Sequence, residues 1–257
     1  MSKVNLKMFK NHFFFGYAGN KRQEFSKIYE EFKKLNNITT IYEPFCGTSA
    51  FSYFLAREEP KKYKYILNDI NKHLINLYET ARDEEKFKLL VEEINNLIID
   101  LDKEKYLKII KEDTLSGWVI KHRIYNIRVG LFPLNYKPLD FEFLYKAPII
   151  QFLRNENITF TNELITDIKE EYNNKNTCIF LDPPYLTESN DFYDQSECNI
   201  YEYLSNNEIK KFKCKMLIVL SDNWIIKLLF KKYIKVIYEK KYEGSKKKIN
   251  HLIITNF

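Results

Sequence analysis

The stretch Ile38-Thr39-Thr40-Ile41-Tyr42-Glu43-Pro44-Phe45-Cys46-Gly47-Thr48-Ser49 reads as a strand, a tight turn and the start of a helix. Ile38 to Tyr42 is a short β-branched run, Pro44 and Gly47 stop it, and Ser49 stands where it can cap the helix continued by Phe51, Phe54 and Leu55. Ahead of it, Phe25, Ile28, Tyr29 and Phe32 recur at helical spacing between Lys21 and Leu35. Behind it, Tyr63 to Leu67 forms a second strand ending in Asn68-Asp69, and Leu74, Leu77 and Tyr78 begin another helix. The unit is β-α-β-α, whose right-handed crossovers set both strand ends on one edge of a parallel sheet.

From about Arg82 to Lys111 the chain is charged and helical, with Leu89, Leu90, Ile94, Leu97, Ile98 and Leu101 expected on one face. Between Thr114 and Ile158 the pattern turns irregular, so residues 82–157 read as an insertion into a catalytic domain made of residues 1–81 and 158–257. Regular order returns with the apolar strand Thr177 to Leu181, which runs into Asp182-Pro183-Pro184-Tyr185. A long polar loop is expected from Leu186 to Asn207, then a helix to Phe212. A strand Met216 to Leu220, a helix Trp224 to Phe230 and strands near Tyr233 to Tyr238 and Ile249 to Thr255 follow. The fold class is α/β.

A chain of 257 residues buries a full core without disulfides. Cys46, Cys178, Cys198 and Cys214 stand far apart with no histidine at ligand spacing, so no metal site is expected, and four scattered thiols suit a reducing cytoplasm. No apolar run is long enough for a signal peptide or a membrane span, so a soluble, cytoplasmic protein is expected. Lysine and arginine exceed aspartate and glutamate by six, and the tract from Lys231 to Lys248 alone sets eight lysines against Glu239 and Glu243. Such a tract suits phosphate neutralisation on a nucleic acid, or else is a solvated lysine surface.

The strongest chemical signal is Asp182-Pro183-Pro184-Tyr185, because open α/β sheets bind ligands at the carboxyl ends of their strands. Two prolines keep the Pro183 carbonyl out of any ladder. An amine on a purine is a poor nucleophile, its lone pair being delocalised into the ring. The Asp182 carboxylate and Pro183 carbonyl together can hold both amine hydrogens and turn the lone pair toward an electrophile, while Tyr185 offers a face for a base turned out of the duplex. The bland alternative is a proline turn after a buried strand. In the first turn, Glu43, Phe45 and Gly47 are candidate cofactor residues: Gly47 permits close backbone approach, and the helix start behind it favours a carboxylate. No G-x-G-x-x-G or Walker loop is present, which argues against NAD or ATP. Asp69 is placed to accept hydrogen bonds from a nucleoside, or to cap a helix. In Phe15-Gly16-Tyr17-Ala18-Gly19-Asn20-Lys21, Tyr17 and Lys21 offer a stacking face and a cation.

Taken in order, these motifs resemble the Dam-like, D12-class, alpha-group adenine-N6 DNA methyltransferases. The similarity is densest in Tyr17 to Lys21, Glu43 to Gly47, Tyr65 to Asn71 and Asp182 to Tyr185, and continues through Val219 to Asn223 and Lys246 to Asn250. The resemblance implies a Rossmann-like S-adenosylmethionine-dependent methyltransferase sheet, with the cofactor contacted by Tyr17, Lys21, Asp69 and Asp182, and a flipped adenine of double-stranded DNA held by Asp182 to Tyr185. It also implies an inserted, mostly helical target-recognition subdomain; a cognate restriction endonuclease is a candidate partner, a solitary enzyme being the alternative, and a monomer or weak dimer is expected. The family's recognition box is echoed only loosely by Lys121-His122-Arg123 and Asn126 to Gly130. Lys121, Arg123, Arg128, Lys246, Lys247 and Lys248 are therefore the expected DNA contacts. Asn162 stands where many relatives carry an acidic residue. Methylation of another exocyclic amine, N4 of cytosine or an RNA adenine, and a catalytically silent DNA-binding subunit are the competing readings.

Overall fold

The computed structural model describes residues 21–124, 138–185, 200–241 and 248–257; the side chains of Arg123, Ile124, Lys241 and Lys248 lie outside the description. Along the chain run α1 (Phe25–Phe32), β1 (Thr40–Glu43), α2 (Ala50–Glu58), β2 (Lys64–Asn68), α3 (Lys72–Arg82), α4 (Glu84–Leu97), α5 (Lys103–Ile109), α6 (Leu115–Ile124), α7 (Phe141–Tyr145) and α8 (Pro148–Leu153). They are followed by β3 (Ile158–Thr161), β4 (Thr177–Leu181), α9 (Ile200–Asn206), β5 (Lys215–Ser221), α10 (Trp224–Phe230), β6 (Ile234–Lys241) and β7 (Lys248–Thr255). The described residues divide into two compact units, one of residues 21–71 with the stretches after Asn157, the other within 72–156.

The first unit is built on a seven-stranded sheet of order β3-β2-β1-β4-β5-β7-β6. β1 through β5 are parallel, and β7 runs antiparallel to both β5 and β6. The order reverses between β1 and β4, the switch point at which such sheets open a crevice beyond their carboxyl ends. This is the Rossmann-like α/β sheet expected from the sequence. Every residue of β4 is buried, as a central parallel strand covered on both faces requires. On one face Phe51 stacks on Phe180 with centroids 4.3 Å apart, and Phe25 and Phe32 close over Phe51. On the other, Tyr42, Ile179, Leu181, Ile218, Leu220, Leu252 and Ile254 form one core with Ile226 and Phe230 of α10.

The second unit is helical. α4, α5 and α7 each start at an aspartate, Asp83, Asp102 and Asp140, whose carboxylate accepts the backbone N–H three residues on. Arg82 at the end of α3 donates to the carbonyls of Leu153 and Asn155 beyond α8, and Asn95 of α4 exchanges two hydrogen bonds with the backbone of Leu139. Gly117 sits where a Cβ would lie 2.7 Å from the Ile109 carbonyl oxygen, so the glycine is what lets α6 approach the end of α5.

Several elements differ from the sequence expectation. The irregular stretch after Thr114 contains α6, α7 and α8. Trp118, Val119 and Ile120 are buried consecutively, so α6 shows no helical period, and α7 and α8 are too short to display one. Leu89 is 63% exposed, because α4 buries Phe87, Leu90, Val91 and Ile94 instead. β3 lies at the sheet edge with only Ile158 buried, and its alternation is too brief to register. Within the expected loop, Ile200 to Asn206 is a helix that buries Ile200, Tyr201 and Leu204. The helix expected up to Phe212 is a single 3₁₀ turn, Ile209–Lys211. Ser49 has φ 50° and its side chain caps nothing. No helix among the described residues is long and apolar enough to cross a membrane.

Candidate active site at the carboxyl edge of the sheet

The turn after β1 is held by its neighbours. Gly47 adopts φ 47°, a left-handed conformation that glycine reaches without strain, and its N–H donates to Asp69 Oδ2 at 2.9 Å. The Cys46 N–H donates to the Asn68 carbonyl at 2.8 Å. Asn68, fully buried at the end of β2, donates to the carbonyls of Pro44 and Glu163 and accepts from Thr161 Oγ1 and the Glu163 N–H. This one side chain ties the ends of β1, β2 and β3. Asp69 Oδ1 also accepts the Asn71 N–H, and Asn162 donates to the Asp69 and Ile70 carbonyls. Asn162 thus braces the Asp69 loop through its backbone. Glu43 is 1% exposed and accepts the Ser52 N–H in the first turn of α2, so it lies beneath the turn. Burial pushes its carboxyl up to about 8, against the opposing bond from Ser52. Phe45 is partly buried against the core on the α10 side.

At the end of β4, Lys21 Nζ stands 2.6 Å from Asp182 Oδ2, with the lysine side chain 4% and the aspartate 15% exposed. Burial holds the Asp182 carboxyl above its ordinary range even though Lys21 opposes the shift. The Tyr185 hydroxyl lies 3.4 Å from Asp182 Oδ1 and 3.4 Å from His251 Nδ1. Its ring, expected to be a stacking face, is 8% exposed, edge-on to His251, with the Lys21 ammonium 5.3 Å from the centroid. The Pro184 carbonyl accepts the Tyr201 hydroxyl at 2.9 Å, which anchors the turn to α9. The Pro183 carbonyl accepts no hydrogen bond among the described residues.

Sequence reasoning missed the group behind this pair. Glu24, one helical turn after Lys21, is 2% exposed. Its carboxylate meets Lys240 at 2.5 Å, His251 Nδ1 at 2.7 Å and the Tyr238 hydroxyl at 2.5 Å. Burial alone would raise its pKa, but the His251 hydrogen bond and the charges of Lys21 and Lys240 outweigh it and hold the carboxylate well below the usual range. A histidine inside the apolar strand His251-Leu-Ile-Ile was the one signal available. Of the other expected site residues, Tyr17, Arg128, Lys246 and Lys247 lie outside the described residues. So do the side chains of Arg123 and Lys248, whereas Lys121 is exposed. One lysine of the basic tract, Lys240, is spent on an internal ion pair.

Residues 17–132 match the model of the D12 class N6 adenine-specific DNA methyltransferases. Over these residues the chain resembles this family. The chain is 24% identical over 270 aligned residues to the Type II methyltransferase M.CviBI of Paramecium bursaria Chlorella virus NC1A, an alignment covering 94% of this chain and 98% of the viral protein. Among solved structures, the rRNA methyltransferase aviRa of Streptomyces viridochromogenes aligns over 99% of this chain and 94% of its own, at 11% identity and TM-score 0.41. HI0767 of Haemophilus influenzae aligns over 91% and 88%, at 11% identity and TM-score 0.36.

Proposed function

We propose that this protein is a DNA methyltransferase that transfers a methyl group from S-adenosylmethionine to N6 of an adenine turned out of double-stranded DNA. The observation that carries the reading is the Lys21–Asp182 pair. A buried carboxylate at the sheet's switch point already receives an N–H donor at 2.6 Å, in the position where an exocyclic amine would donate.

The residues suit the cofactor. The glycine turn at Gly47 allows close backbone approach, and the Asp69 carboxylate stands beside it, accepting the Gly47 and Asn71 N–H groups. Lys21, Phe45, Gly47, Asp69 and Asp182 would hold the cofactor together with Tyr17, with Glu43 supporting the turn from below. When bound, S-adenosylmethionine supplies an electrophilic methyl carbon on a sulfonium. Asp182 and the Pro183 carbonyl would accept the two N6 hydrogens and turn the lone pair outward, so positioning and electrostatic complementarity provide most of the acceleration. The methylated nitrogen is strongly acidic and loses its proton to water, so Asp182 works as an orienting acceptor and needs no high basicity. Tyr185 bounds the adenine pocket. The helical unit within residues 82–157 would carry target recognition. Lys121, Arg123, Arg128 and Lys246 to Lys248 would meet phosphates, and a type II restriction endonuclease is a candidate partner.

The test is to incubate the full-length protein with methyl-labelled S-adenosylmethionine and, in parallel, unmethylated genomic DNA or total RNA, digest to nucleosides and read the product by mass spectrometry. N6-methyladenine is expected. Label in N4-methylcytosine, label only in RNA, or cofactor binding without transfer would overturn the assignment.

A further inference from the structure

Behind Asp182 lies a second buried acid with a second buried base. Tyr238 and Lys240 point to the same face of β6 by the two-residue period of a strand, and His251 of β7 is paired directly across from Tyr238. The hairpin therefore aims three polar side chains at one spot, and Glu24 fills it. The Glu24 N–H bonds the Lys21 carbonyl at 3.0 Å in the first turn leading into α1, which fixes the spacing between the two residues. With His251 neutral against Glu24, Lys21, Asp182, Glu24 and Lys240 sum to zero formal charge, and all are largely removed from solvent.

We propose that Glu24 and Lys240 are a charge-balancing pair that keeps Asp182 facing one ammonium instead of two, leaving the carboxylate free to receive the substrate amine. Glu24 and Lys240 are positioning residues in this view, and the inference rests on Asp182 being the amine acceptor. An unpaired buried ammonium is costly, so a Lys240 deprived of Glu24 turns to the next carboxylate within range. Asp182 is that carboxylate: the charges of Glu24 and Lys240 both act on it, with opposite sign. Conversely, a Glu24 deprived of Lys240 draws on Lys21, whose charge already acts on it. Each single loss therefore disturbs the Lys21–Asp182 pair, and loss of both leaves it as it was.

The experiment compares the full-length protein with Glu24→Gln, Lys240→Met and the double variant, by two readouts. The first is the ¹³C carboxylate titration of Asp182, assigned by its disappearance in Asp182→Asn. The midpoint is expected to fall in Glu24→Gln, rise in Lys240→Met and return to the wild-type value in the double variant. The second is methyl transfer to unmethylated genomic DNA: kcat falls about tenfold or more in each single variant, and the double variant recovers most of the rate. A double variant no faster than the slower single one, or an Asp182 midpoint that moves in neither single variant, overturns the proposal, since a purely structural role predicts accumulating damage. Should Glu24→Gln fail to fold, a midpoint that rises in Lys240→Met and returns to the wild-type value in the double variant still carries the prediction. If the midpoints move as stated but wild-type protein transfers no methyl to adenine, the functional reading falls and the charge balance stands.

Discussion

Lys21 and Asp182 form an ion pair of 2.6 Å in which the lysine is almost wholly enclosed. The carboxylate that would receive the substrate amine is thus already engaged with a donor of the same chemical type, and the pair joins stability to chemistry. Asp182→Asn keeps the shape but strands a buried ammonium, at a cost of about 3–5 kcal/mol when one partner of a buried pair is removed. Methyl transfer should fall by about 10²–10³-fold, as for loss of a preorganised electrostatic contact. Adding Lys21→Met should restore the thermal stability and leave the rate low. Calorimetry and a labelled-methyl assay on the two variants check this, and a double variant that regained activity would contradict the role given to Asp182.

Glu43 makes a pH-dependent contribution of defined sign. Its folded pKa, about 8, lies above the ordinary 4.5, so between these values the folded state binds a proton that the unfolded state has released. Stability from this group is complete below about 4.5 and is lost as pH rises through 8. Glu43→Gln should retain an acceptor for the Ser52 N–H and flatten the decline of Tm between pH 5 and 9. Thermal unfolding of both proteins across that range gives the comparison, and parallel curves would show that Glu43 titrates normally.

Asn68 makes four hydrogen bonds across three strand ends while fully buried. Asn68→Ala leaves two carbonyls and an N–H without partners inside the protein, so unfolding in urea should show a loss of about 2–4 kcal/mol. Cofactor affinity should fall with it, because the loop bearing Asp69 and Gly47 loses its tie to β3. A change below about 0.5 kcal/mol would mean that water replaces the asparagine at no cost.

Replacing Lys246, Lys247 and Lys248 together by glutamine should weaken DNA binding equally for all sequences. It should also reduce the slope of log affinity against log salt by about three, close to one per phosphate contact. Fluorescence anisotropy over a salt series measures the slope, and an unchanged slope would return the tract to plain solvated surface.

Legibility in the sequence followed locality. β4 and α10 were readable to the residue, since an unbroken apolar run ending in Asp-Pro-Pro and a helix opened by Asn223 declare their own limits. Ser49 stands where the sequence predicts a side-chain cap, but the turn it occupies takes a left-handed backbone in which its hydroxyl does not reach the helix N–H groups. α9 was hidden because seven residues are too few for a periodic pattern to emerge from polar surroundings. Asp182, Asp69 and Lys21 were readable as chemistry-bearing residues because each sits beside a turn or glycine that marks a strand end or loop. Glu24 was not, being one acid among many in a charged chain.

The sequence by itself determined the α/β class, the strand endings that carry Asp69 and Asp182, and the resemblance to D12-class methyltransferases, because strand runs, prolines and glycines act over a few neighbouring residues. Tertiary structure alone decided what surrounds those carboxylates. Glu24 meets His251 across 227 positions of chain only because α1 packs against the sheet while the β6–β7 hairpin sets Tyr238, Lys240 and His251 on one face. Which charges share a buried space depends on strand order and register, and no local pattern of residues encodes either.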